Sequence, residues 1–412
     1  MGRLFRQALE RPGRASMTYR PKSQIGVGGL VLGPRERKYL GQVIRSSRLS
    51  YGPMTRRFER RFAAAHGCRF GVFSNSGTSA LHIALAALKE RHGWKDEDEV
   101  LVPAVTFVAT ANIVFHNRMK PVFVDVDPET YNIDPAQLER RITRRTRALI
   151  PVHLMGLPCD MDPILKVCRR NKLKVIEDSC ETAFARYRGR PVGSFGDIGC
   201  FSTYVAHYIV TGVGGFSLTN DADLAVRLRS LMNHGRDSIY LNIDDDQGVT
   251  RGRLQEIVER RFRFVSMGHS FRATELEAAI GLGQLDSMRS IVRARQANAR
   301  YLSEGLKDLE DRLQLPTVPP DRDHMFMMYP LVLRDEAKTG LVNFLEEGKV
   351  ETRDIMPLIN QPVYVKRYGD LERRYPVAAW VNKSGFYVGC HQYLSRRELD
   401  YVIGRIHAYF RR

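Results

Sequence analysis

Lysine is scarce in this chain. Of its 412 residues 13 are lysine against 51 arginines, and none lies between Lys174 and Lys307. Chemistry that needs a side-chain amine is therefore excluded from that whole stretch. Cysteine is sparse too: the six (Cys68, Cys159, Cys168, Cys180, Cys200, Cys390) include no C-x-x-C pair. A chain this long does not need disulfides, so they read as buried small hydrophobes in a reducing compartment, hence the cytoplasm. After Cys200 only Cys390 remains, which argues against a four-cysteine cluster, and no metal site is expected. No run approaches the roughly 18 apolar residues of a membrane span, and the start of the chain has no signal-like apolar segment. Full G-x-G-x-x-G and Walker A patterns are missing as well. Gly26-Val27-Gly28-Gly29 and Gly212-Val213-Gly214-Gly215 fall short of both.

What is present makes a globular protein. Hydrophobic residues are 43% and charged residues 27%, enough to fill a core. The length predicts two or three structural units. The net charge is +18 and the pI about 9.8. A basic tail over residues 1–24 holds Arg3, Arg6, Arg11, Arg14, Arg20 and Lys22 against Glu10 alone. Met17, followed by more ordinary sequence, suggests that residues 1–16 are dispensable. Further arginines cluster at 140–147 and 251–263 and read first as solvated helix faces, second as a patch drawing an anionic substrate such as a nucleotide. No zinc-finger, RNP or basic-zipper pattern accompanies them, so no nucleic-acid partner is expected.

From about residue 36 to 290, strand-like runs alternate with helical patterns. Val100–Val105, Pro121–Val126, Ala148–His153, Leu173–Glu177, Ile198–Phe201 and Gly215–Thr219 are short and rich in β-branched residues. Between them lie helix-like stretches at Thr78–Glu90, Phe107–His116, Pro135–Arg141, Pro163–Asn171 and Ala222–Asn233. That alternation predicts an α/β fold with a mostly parallel sheet covered on both faces. After Ser287 the character changes: a long helix Ile291–Leu309, the proline-rich Pro316–Pro320, a strand at Phe326–Leu333, and helices near Gly340–Glu347 and Ser395–Phe410. The expected organisation is a large domain over 25–287 and a smaller α+β domain over 288–412.

Two features carry chemistry. Asn75-Ser76-Gly77-Thr78-Ser79 follows a strand (Phe70–Phe73) and opens a helix, an arrangement that suits an anion and also suits an ordinary turn. Asp178 ends a strand at the sheet edge where open α/β folds bind ligands. Buried there, it needs a cationic or hydrogen-bonding partner, and the pyridinium nitrogen of a pyridoxal-type cofactor is one; a capping role is the alternative.

These residues sit within an ordered set of motifs: Gly33-Pro34-Arg35-Glu36, Tyr51-Gly52, Phe58-Glu59, Ser74–Leu81, Val102–Thr110, Pro121–Asp127, Pro151–Gly156, Val175–Asp178, Ser194–Ser202, Gly268–Ile280, and Arg353 through Pro357 to Gln361-Pro362. Nearly end to end, the chain resembles the DegT/DnrJ/EryC1/StrS sugar aminotransferases of the fold-type I pyridoxal-phosphate group. The resemblance implies a three-layer aminotransferase-like sandwich and a homodimer whose partner subunit completes each site. It implies that Gly77, Thr78 and Ser202 hold the cofactor phosphate, that Phe107 stacks on the ring, and that Asp178 pairs with its nitrogen. Arg353 and His391 fall in its substrate-side segments.

The departures from the family pattern are as telling. The family's Schiff-base lysine falls five residues after the Ser202 position, where this chain has His207. With no lysine in the flanking stretch, no shift of register restores one. An imidazole cannot anchor the cofactor covalently, but it moves protons near neutral pH. The substitution resembles the family's 3-dehydratases, which work with pyridoxamine phosphate on a nucleotide-linked 4-keto-6-deoxyhexose and regenerate it from an amino donor, glutamate in the resemblance. A family glutamine becomes Glu181, a second acid near Asp178, which either turns away or adds acid–base chemistry. The partner-subunit motif reads Gly268-His269-Ser270-Phe271-Arg272, leaving its phosphate contact to Ser270.

Overall fold

The structure, a computed structural model, describes residues 19–242 and 244–412. Most of the basic tail, including residues 1–16, lies outside the described residues. Two N-terminal helices, α1 (Pro34–Ser46) and α2 (Pro53–Ala65), lead into β1 (Phe70–Ser74) and α3 (Gly77–His92). There follow β2 (Glu99–Pro103), α4 (Val108–His116), β3 (Lys120–Val124), β4 (Thr146–Leu149), α5 (Met161–Arg170) and β5 (Lys174–Asp178). A small hairpin, β6 (Arg186–Tyr187) and β7 (Arg190–Pro191), precedes β8 (Ile198–Ser202), β9 (Gly215–Thr219), α6 (Ala222–Met232) and α7 (Arg251–Arg260).

Seven strands form one sheet in the order β1-β9-β8-β5-β4-β2-β3. Pairs from β8 to β3 are parallel, and β9 runs antiparallel to both of its neighbours. The mostly parallel expectation holds. Successive residues of the central strands feed two different cores, as the period of two in a strand requires. Val100, Val102, Ala148 and Ile176 join α3 and α4 in one cluster. Leu101, Val124, Leu149 and Val175 join Met161, Ile164 and Cys168 of α5 in another. That is the three-layer sandwich, and it explains why these strands are unbroken apolar runs. The helix expected over Pro135–Arg141 is two separate 3-10 turns, Pro135–Gln137 and Glu139–Arg141. Leu138 is the one buried side chain there, too little to hold a longer helix on the core.

The second unit is a four-stranded antiparallel sheet in the order β10-β11-β13-β12, made of β10 (Leu313–Gln314), β11 (Tyr329–Leu333), β12 (Thr352–Asp354) and β13 (Gly385–Val388). Helices α9 (Thr339–Glu347), α10 (Pro362–Tyr368), α11 (Pro376–Ser384) and α12 (Arg396–Phe410) complete it. No break separates the two units at 287/288. A single 32-residue helix, α8 (Glu275–Leu306), runs through that point. Its first half packs Ala278, Leu282 and Leu285 into the large core, and its second half packs Ala299, Leu302 and Leu306 into the small one. A capping box, Thr274 with Glu277, starts it. Among the described residues no helix is long and apolar enough to cross a membrane.

Candidate active site

The carboxyl ends of β1, β5 and β8 meet at the start of α3. Ser76 caps that helix by accepting from the Ser79 amide at 3.0 Å, so its first-turn N–H groups lack helical acceptors and carry the positive end of the dipole. Gly77 is glycine for a steric reason. A Cβ there would lie 2.8 Å from the Ser202 Cβ and 2.9 Å from the Cys180 Sγ. Gly77 and Ser202 therefore face each other across one tight cradle, and Thr78 beside them is exposed. Small side chains beside unpaired helical N–H groups give a site of the sign a phosphate needs.

Asp178 is buried at the end of β5. Thr110 Oγ1 donates to its Oδ2 at 2.9 Å, and the Cys180 amide donates to Oδ1 at 3.2 Å. Thr106 lies in turn 2.8 Å from Thr110, so α4 buttresses the carboxyl. Burial raises its proton affinity and these hydrogen bonds oppose the rise. Among the described residues it forms no ion pair, and the nearby His153 adds a further lowering influence. Phe107, just ahead of α4, is 57% exposed, which removes core packing as its role. It opens onto a cavity of about 540 Å³ shared with Thr106, Arg353, Met356, Gln361 and Tyr387.

Glu181 does not turn away to solvent. It is buried, its Oε2 accepts from the Met155 amide at 2.9 Å, and burial, reinforced by the Asp178 charge, pushes its carboxyl up to about 7. His207 sits in a turn closed by its own amide on the Tyr204 carbonyl at 2.9 Å. The residue is half-buried, but its Nδ1 is sealed from solvent and has no hydrogen-bond partner. Burial, with the Arg295 charge behind it, pushes the imidazole down to about 3. Lys174, which opens β5, bonds Asp197 at the far end of the strand from Asp178.

A sequence profile of the DegT/DnrJ/EryC1/StrS aminotransferase family matches residues 31–407. The chain belongs to the DegT/DnrJ/EryC1/StrS aminotransferase family. It is 35% identical to the GDP-perosamine synthase of Caulobacter vibrioides, over 93% of this chain and 97% of that one. It is 33% identical to the dTDP-4-dehydro-2,6-dideoxy-D-glucose 3-dehydratase of Saccharopolyspora spinosa, over 93% and 86%. Among solved structures, the GDP-4-keto-6-deoxy-D-mannose-3-dehydratase of E. coli with bound hydrated PLP superposes with a TM-score of 0.82, at 26% identity, over 93% of this chain and 99% of that one. The protein is thus an enzyme of the pyridoxal-phosphate-dependent sugar aminotransferase family, and its cofactor is pyridoxal phosphate.

The residues present fit that cofactor. The cradle that a Cβ at Gly77 would fill suits its phosphate, and the buried Asp178, without an ion pair of its own, suits a protonated ring nitrogen. The structure gathers Gly77, Thr78, Ser202 and Cys180 at one end and Thr110, Asp178 and Glu181 behind. Ser270 stands apart from this gathering. It is exposed and accepts from Arg272 at 2.9 Å. His391 also stands apart: it is buried, with Nε2 on the Gly26 carbonyl at 3.1 Å. Sequence reasoning missed Thr110 and Cys180 as contacts. Thr110 was legible in principle, one helical turn from Thr106 and inside the same motif.

Proposed function

We propose that the protein is a pyridoxamine/pyridoxal-phosphate-dependent 3-dehydratase of a nucleotide-linked 4-keto-6-deoxyhexose. The observation that carries the reading is His207, with its orphaned buried Nδ1, where this family ordinarily has lysine. When bound, pyridoxamine phosphate would supply an amine for the C4 ketone and a protonated ring able to hold the electron pair left on an adjacent carbon that has lost its proton. Gly77, Thr78 and Ser202 would hold its phosphate, with Ser270 of the partner subunit adding a contact in a homodimer. Phe107 would cover the ring face, and Asp178 would keep the ring nitrogen protonated. Glu181, protonated in part near neutral pH, would offer a proton to the phenolic oxygen where the family has an amide donor.

His207 does the proton work. It would hold the proton taken from the carbon beside the cofactor amine and pass it to the departing C3 hydroxyl, which would leave as water. Hydrolysis then releases a 4-keto-3,6-dideoxy sugar and ammonia. Glutamate, as amino donor, restores the amine form of the cofactor. Arg353, which lines the same cavity as Phe107, would be a substrate-side cation.

A second reading has one observation in its favour, the amino-sugar product named for the Caulobacter relative. It is an aminotransferase that holds its cofactor without a covalent bond, with His207 as the shuttle. Incubation with glutamate, pyridoxal phosphate and a panel of nucleotide 4-keto-6-deoxyhexoses separates the two. Loss of water with ammonia release is expected. A stable amino sugar would replace the dehydratase with the aminotransferase, and no turnover together with unchanged binding in His207→Asn would leave a silent cofactor- or sugar-binding protein.

A further inference from the structure

Arg295, midway along α8, is enclosed by protein and has no role in the chemistry above. Nη1 donates to the Met327 carbonyl at 2.7 Å and, longer, to that of Phe326 at 3.4 Å. Nε donates to Gln392 Oε1 at 3.1 Å, and Nη2 to the His207 carbonyl at 3.4 Å. The guanidinium carbon lies 5.1 Å from the centre of the Tyr208 ring. A buried cation without a counter-charge is destabilising unless carbonyls and ring faces surround it, and here they do. Three of the contacts reach into the small domain. The fourth, with the ring contact, reaches the turn that carries His207.

We propose that Arg295 is a positioning residue for His207, its fork clamping the turn that presents the imidazole and its charge standing unneutralised behind the ring. The proposal rests on the reading of His207 as the acid/base. The titratable groups packed around the pair are Tyr204 and Tyr208 on the turn itself and Cys390, His391 and Tyr393 on the loop after β13. Burial pushes the Cys390 thiol and the Tyr208 phenol up, so neither supplies an anion near neutral pH. With that cation behind it, the imidazole stays uncharged at rest, though a weaker base for it. Once charged against Arg295 it gives that proton up readily, as the delivery to the leaving hydroxyl requires.

The test is hydrogen–deuterium exchange on the full chain, read at the C2–H of the His207 imidazole and at the amides of residues 203–208. Wild type is compared with R295K and R295Q, each first shown to be folded by thermal unfolding. Imidazole C2–H exchange slows as proton affinity falls, so R295Q is expected to speed it by about fivefold, while R295K, which keeps the charge, stays within about twofold of wild type. Both variants are expected to speed amide exchange over 203–208 by about threefold or more as the clamp is lost. Equal C2–H exchange in wild type and R295Q overturns the proposal. Should R295Q not fold, R295K decides: unchanged amide exchange over 203–208 overturns it. Neither readout needs turnover, so a protein inactive as a dehydratase that shows these shifts would refute the catalytic reading and leave the link between Arg295 and His207 standing.

Discussion

The sides proposed for cofactor and for substrate are built in opposite ways. On the cofactor side, short residues at strand ends do the work: Gly77 and Ser202 oppose each other at van der Waals range, and Asp178 is fixed by Thr110 and a backbone amide. On the substrate side, long side chains from the small domain are tied to local partners. Arg353 is ion-paired with Glu351, and His391 bonds the Gly26 carbonyl. The difference teaches that, on the proposed function, the chemistry would be set by backbone placement and sugar recognition by side chains that have other attachments to exchange. The two halves should therefore respond differently to mutation.

The largest expected effect breaks the cofactor side alone. His207→Asn should lower turnover by roughly 10²–10⁴-fold, the usual share of a general acid/base, with cofactor affinity nearly unchanged by fluorescence titration. Full turnover in this variant would remove His207 from the chemistry. His207→Lys sharpens the same point, since it should give a borohydride-reducible visible band that wild type lacks. Recovery of a borohydride-trapped lysine peptide from wild type would sink the lysine-free mechanism. Gly77→Ala comes next. Its Cβ would meet Ser202 and Cys180 inside 3 Å, and overpacking of that kind costs roughly 1–3 kcal/mol. The expected outcome is a lowered melting temperature together with weakened binding of pyridoxamine phosphate, and unchanged binding would place the phosphate elsewhere.

The places of Asp178 and His207 are legible from sequence because each is fixed by a count along the chain: a strand end, and five residues past a motif serine. The sheet was legible for the same reason, since parallel strands buried on both faces must be apolar throughout. Arg295 was not legible. One arginine among 51 carries no mark of burial, and its partners are mostly backbone carbonyls some 30 residues or more away in sequence. The division at 287/288 falls inside α8, because a composition change marks where the core changes while the helix serves both cores without interruption. Glu181 shows the same limit on a smaller scale: the departure from the family was visible, but the Met155 amide that receives it was not.

Glu181 supplies the middle-sized prediction. Its carboxyl rises from an ordinary 4.5 to about 7 through burial, so the folded state holds a proton that the unfolded state has released across that window. Stability from this group is present at the acid side and declines as pH climbs from about 4.5 through 7, by on the order of 2–3 kcal/mol. Glu181→Gln should flatten that part of the pH–stability curve, measured by urea unfolding at intervals between pH 4.5 and 8. An unchanged slope would show that another group carries it.

The smallest effects separate the substrate-side pair. Arg353→Ala should raise KM for the sugar nucleotide by about tenfold, the loss of one charge-assisted contact, and leave the melting temperature unchanged, because the side chain is mostly exposed. His391→Gln should do the reverse. Its imidazole is pushed down to about 4, by burial first and by the Arg295 charge second. A depressed histidine binds fewer protons folded than unfolded, so wild type loses stability as pH falls from about 6.5 toward 4. The glutamine variant keeps a donor for the Gly26 carbonyl and should lose that acid-side slope, with KM unmoved. A raised KM in His391→Gln would instead bring this residue into sugar recognition, and the contrast between a cofactor side set by backbone and a substrate side set by side chains would then extend across both walls of the cavity.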